Sequence, residues 1–166
     1  MGFTDSETVP CAIRSTVVAP SGPVLLAAVP VAVERLCRLL RDQRTICPAN
    51  LADAQAALAR ERFALAIIGV HFDESRMFDL ISCARASVLN RGVPIVCVLA
   101  VRRKLSSLTV HLLQETINGM AGCQFLNLTV IADDDVGNAL VRDAMMEYLD
   151  PLLPERTLQP LKSSST

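Results

Sequence analysis

Phe63-Ala64-Leu65-Ala66-Ile67-Ile68-Gly69-Val70 carries no polar side chain. A strand with one wet face alternates apolar and polar residues, whereas a strand covered on both faces has no reason to. This run therefore reads as a central strand of a parallel sheet, buried above and below. Working outward, similar apolar runs recur at residues 24–29, 45–49, 93–100 and 124–131. Helical spacing fills the intervals. Val33, Leu36, Cys37 and Leu40 predict a helix over 31–42, and Leu51, Ala54, Ala57 and Leu58 predict one over 51–62. Met77, Leu80, Ile81, Ala84 and Val88 form the expected inner face of a helix over 75–90, closed by Asn90-Arg91-Gly92 with a glycine cap. A fourth helix is expected over 105–118, ending at Gly119. A fifth runs from the acids at 133–135, which suit a helix N-terminus, to about Leu149.

Alternating strands and helices imply a parallel sheet with helices on both faces, and right-handed crossovers then make it doubly wound. The expected fold is α/β, a flavodoxin-like (βα)5 sheet of five strands in the order 2-1-3-4-5. The domain is expected to span residues 22–149. Residues 1–21 read as a polar extension, with a short edge strand at 14–18, and residues 150–166 as a proline-containing flexible tail.

The chain has 166 residues, 51% hydrophobic and 20% charged, which suits one globular domain with a sizeable core. A formal net charge of −1 gives no basic footprint for nucleic acid. The apolar stretch 24–33 is too short to span a membrane and runs into Glu34 and Arg35. Residues 1–10 lack the basic start and apolar core of a secretory signal, so a cytoplasmic protein is expected. No GxSxG elbow, P-loop or GxGxxG fingerprint occurs, so an enzyme is not expected.

Ligands of open α/β sheets bind just past the carboxyl ends of the strands. Those ends carry Ala27, Ala28, Gly69, Leu99 and Leu128. Phosphate or metal chemistry would need carboxylates, hydroxyls or a lysine there. The expected scaffold is present without its expected chemistry.

Two segments resemble the opening of a bacterial response-regulator receiver domain: Val24-Leu25-Leu26-Ala27-Ala28-Val29-Pro30, and Val33-Glu34-Arg35-Leu36-Cys37-Arg38-Leu39-Leu40. Phe63 to Gly69 resembles the third strand of that family, and Val93-Pro94-Ile95-Val96-Cys97-Val98-Leu99-Ala100 its fourth. The resemblance covers roughly residues 22–149. It implies that Gly69 stands where the family has its phospho-acceptor aspartate. Ala27 and Ala28 stand at the magnesium-holding acidic pair, Leu99 at the phosphate-sensing hydroxyl, Leu128 at the lysine and Thr129 at the proline after it. Glycine has no nucleophile for an acyl-phosphate, and two methyl groups supply no oxygen to a hard cation. The resemblance thus points to a pseudo-receiver: a non-phosphorylatable signalling or protein-interaction module of two-component type, with no catalytic residue, cofactor or metal.

On the same edge, His71, Asp73 and Glu74 are a weak cation candidate, since strand one adds no ligand and a metal site wants three or four. Arg102-Arg103-Lys104 reads as a solvated loop, with an acidic partner as the functional alternative. Ser106 and Ser107 are expected to cap the fourth helix. That helix is richer in apolar residues than one buried stripe needs. Leu105, Leu108, Leu112 and Leu113 form one face, which Val110, Ile117 and Met120 widen. With Met145, Met146, Leu149 and Tyr148 of helix five they suggest an interface. The candidate interface is Leu108, Val110, Leu112, Ile117, Met145, Met146 and Tyr148. Its expected partner is another protein or a second copy, through the helix four, strand five and helix five face. The alternatives are a small-ligand sensor, with an apolar pocket under the strand ends, and a redox switch using Cys47, Cys97 or Cys123. The six cysteines form no CxxC or zinc pattern, and most fall on core faces.

Overall fold

The computed structural model describes residues 22–101 and 105–149. Ten elements alternate: β1 (Val24–Ala27), α1 (Pro30–Leu39), β2 (Thr45–Ile46), α2 (Leu51–Arg60), β3 (Leu65–Gly69), α3 (Met77–Ala86), β4 (Ile95–Leu99), α4 (Ser107–Asn118), β5 (Cys123–Asn127) and α5 (Asp135–Leu149). The five strands pair in parallel in the order β2-β1-β3-β4-β5, the flavodoxin-like order expected. The extension 1–21, its edge strand at 14–18, the run 102–104 and the tail 150–166 lie outside the described residues.

Each face of the sheet has its own core. Leu25, Ala27, Ala66, Ile68, Cys97, Leu99 and Phe125 pack against α2, α3 and α4. Val24, Leu26, Leu65, Ile67, Val96 and Val98 pack against α1 and α5. Residues 65 to 69 are buried throughout, so β3 is wet on neither face.

The elements are shorter than their apolar runs, for local reasons. β2 stops at Ile46; Pro48, two residues on, has no N–H to extend an edge ladder. α3 begins at Met77 because Asp73, Glu74 and Ser75 all take positive φ (42°, 57° and 69°). It ends at Ala86, four residues before the expected stop, where Ser87 turns extended. Asn90 is then free to enter the core. Its amide donates to the Leu58 and Glu61 carbonyls at 2.8 Å each, and its Oδ1 accepts from the Phe63 amide. Val88, expected on the inner face, is consequently 85% exposed, and Gly92 is not a left-handed cap. The caps at the other ends follow expectation. Ser106 accepts from the Thr109 amide, and Asp134 from that of Gly137.

Between α1 and α5 the buried Arg35 guanidinium reaches the Ile131 and Ala132 carbonyls and the Asn138 side chain, fixing the β5–α5 loop against α1. An arginine on a helix reads as surface, so this staple had no signal in the sequence.

Candidate functional site

The sheet brings the five strand-end positions to one edge. Ala27 pairs with Ile68, and Gly69 follows, paired with Val98. Leu99 ends β4 opposite Asn127, and its carbonyl accepts from the Leu128 amide at 2.9 Å. β5 therefore ends at Asn127, and Leu128 stands one residue beyond it.

These positions are closed as well as apolar. A Cβ placed on Gly69 would lie 3.0 Å from the Ala28 Cα and 3.1 Å from its Cβ. The end of β1 thus occupies the space into which a side chain at 69 would grow. Ala27 and Leu99 are fully buried in the core beneath α2, α3 and α4, while Leu128 is buried on the α1–α5 side. Asn127 turns on its own loop, accepting from the Thr129 amide and hydroxyl.

The loop after β3 is likewise committed to structure. Asp73 accepts from the Leu51 amide at 2.9 Å, at the start of α2. His71 joins its Nε2 to the Val101 carbonyl at 2.9 Å and its Nδ1 to the Ser75 hydroxyl at 3.4 Å. His71, Asp73 and Glu74 do not converge, and no group of three or more cation-binding side chains occurs among the described residues. A groove of about 440 Å³ lies elsewhere, between α2 and the end of α3, lined by Leu58, Ala59, Cys83, Val88 and Leu89 among others.

The candidate interface is divided by the fold. Val110 and Ile117 are buried in the core under α4, and Met145 is fully buried under α5, so these three are corrected from surface to core. The physical reason is that α4 turns its Val110, Leu113 and Ile117 stripe to the sheet, not its Leu108 and Leu112 stripe. Leu108 (67%) and Leu112 (56%) stay exposed. Met146 is half-buried. Tyr148 is half-buried too, its hydroxyl donating to Gln124 on β5, and burial raises its pKa. Val130, Val136 and Leu140, which the sequence does not single out, are exposed as well, as are Val31, Phe78, Val88 and Leu89 on α1, α3 and the turn after α3.

The cysteines also part company. Cys97 and Cys123 are buried, and desolvation, with a smaller contribution from Cys123, pushes the Cys97 thiol up to about 12. They are not poised for oxidation. Cys47 is exposed, beside Cys37.

No protein-family model matches the chain, and no curated protein matches it. Solved structures do. One is a signal receiver domain of a signal-transduction histidine kinase from Syntrophus aciditrophicus, 17% identical with a TM-score of 0.59, covering 85% of this chain and 99% of that one. Another is the receiver domain of a sensor histidine kinase from Pseudomonas aeruginosa PAO1, solved with magnesium in its active-site cleft. It is 18% identical with a TM-score of 0.54, covering 77% and 97%. The chain has the CheY-like receiver fold. A protein described as adenylate cyclase from Rhodopirellula baltica is similar too, at 14% identity and a TM-score of 0.54, covering 76% and 87%. At such identities the likeness carries the fold alone. No described helix is long and apolar enough to cross a membrane.

Proposed function

We propose that this chain is a signalling module of receiver fold that acts by protein contact and is not phosphorylated on aspartate. One observation carries the reading: Gly69 ends β3 with the backbone of Ala28 against it, 3.0 Å from where a Cβ would stand. Aspartyl phosphorylation needs a carboxylate nucleophile, a cation held by oxygen ligands and room for a tetrahedral phosphoryl group. The edge offers methyl groups at Ala27 and Ala28, isobutyl groups at Leu99 and Leu128, and a loop acid, Asp73, already bound to α2. A module that cannot be switched by phosphate is left with its surfaces.

The surface that supports contact lies on α4, α5 and the loop after β5. Leu108 and Leu112 stand out from α4, Val136 and Leu140 from α5, and Val130 from the loop. Exposed apolar side chains mark an interface where they form a patch; Val31, Phe78, Val88 and Leu89 are exposed elsewhere, and the contact proposed is made by the α4, α5 and loop residues. The partner is another protein or a second copy of the chain. Light scattering on the wild type and on Leu112→Glu tests this, because the exposed site accepts a charge without unfolding the domain. Self-association predicts a dimer that the variant dissociates. A monomer that captures no second protein through this face, with wild type and variant alike, contradicts the reading.

A further inference from the structure

The Cys37 and Cys47 sulfurs lie 3.9 Å apart, ten positions apart in sequence. Cys37 projects from α1, half-buried, and Cys47 is exposed one residue past the edge strand β2. A disulfide needs about 2 Å between sulfurs, so roughly 2 Å of closure is required. The structure puts that closure where it is easiest. β2 has two residues, pairs only with β1, and carries Cys47 beyond its last ladder position. Cys97 and Cys123, by contrast, are enclosed in the core, and Cys83 accepts from Gln55 across the α2–α3 groove.

We propose that Cys37 and Cys47 are a reversible oxidation site that closes to an intramolecular disulfide when the chain meets a hydroperoxide. One thiolate attacks the peroxide oxygen. The O–O bond breaks, an alcohol or water leaves with a proton, and a sulfenic acid remains. The second thiol attacks that sulfur; the S–S bond forms, the S–O bond breaks, and water departs with the thiol proton. Two thiols are thereby oxidised by two electrons and one peroxide is reduced. A small thiol in excess reverses the step by exchange, and is itself oxidised to its disulfide. Burial and the neighbouring Cys37 sulfur raise the Cys47 thiol above its ordinary 9.0. The product would tether α1 to the β2 edge, at the far side of the sheet from β5.

The test uses the full chain and hydrogen peroxide, followed by iodoacetamide and trypsin without reduction. The expected product joins the peptide of residues 36–38 to that of residues 45–60, lighter by two hydrogens, and disappears on adding dithiothreitol. Cys37→Ser and Cys47→Ser should each abolish it, and Cys83→Ser should leave it. Alkylation of both thiols after peroxide, sulfinic acid without a link, or a link from either residue to any other cysteine or chain overturns the proposal. The wild-type experiment alone decides it if a variant fails to fold.

Discussion

At position 69 the backbone itself stands in the way of chemistry. A side chain there begins 3.0 Å from the Ala28 Cα, so restoring an aspartate means moving the end of β1. Gly69→Asp should lower stability by about 1–3 kcal/mol, the usual cost of overpacking a filled site. It should also remain unphosphorylated, because Ala27 and Ala28 still offer no cation ligand. Denaturant unfolding and intact mass after acetyl phosphate with magnesium measure the two effects. A second residue-scale expectation concerns Asp133. Hydrogen bonds from Asn138 and Arg38 hold its carboxyl below the ordinary 3.8. The folded chain thus gives up this proton more readily than the unfolded one, and the contribution is present above 3.8 and lost as pH falls through the folded value. Asp133→Asn should be less stable than wild type near neutrality, and urea midpoints for the two should converge in acid. A gap that persists at low pH would contradict this.

Among the elements, α4 shows what a sequence can and cannot decide. Two apolar stripes satisfied helical spacing there, one through Leu108 and Leu112, one through Val110, Leu113 and Ile117. Periodicity gives a stripe but not its direction; the choice is made by what the helix meets, here the buried core that holds Phe125 and Cys123. Ile117→Ala should therefore cost about 2–4 kcal/mol, while Leu112→Ala should stay within roughly 0.5 kcal/mol. Thermal and denaturant melts of the pair check the orientation of the helix, and equal losses would reverse it. α3 departs from its hydrophobic spacing for a related reason. Its two ends are set by three left-handed residues and by the buried Asn90, and neither leaves a mark in hydrophobic spacing. The strands were legible because runs such as 65–69, buried on both sides, are unlike anything a surface helix needs.

Across the whole molecule, alternation and handedness lead to a doubly wound parallel sheet, and five strands suit the flavodoxin-like order that the structure has. The order β2-β1-β3-β4-β5 puts the strand ends of β1, β3, β4 and β5 on one edge, so the residue identities at 27, 28, 69 and 99 bear on one site and are legible in the sequence. What the sequence could not carry was long-range partnership: Arg35 with the β5–α5 loop, and Cys37 with Cys47. Each pair depends on side chains that meet only after the layers assemble. The same assembly leaves Leu108, Leu112, Val136 and Leu140 in water, and the proposed contact rests on these residues. We propose signalling without aspartyl phosphate for this chain. The most direct test is intact mass of the purified chain after acetyl phosphate, with and without magnesium. An unchanged mass is expected in both; a magnesium-dependent gain of one phosphoryl group, removed by hydroxylamine, would contradict the proposal.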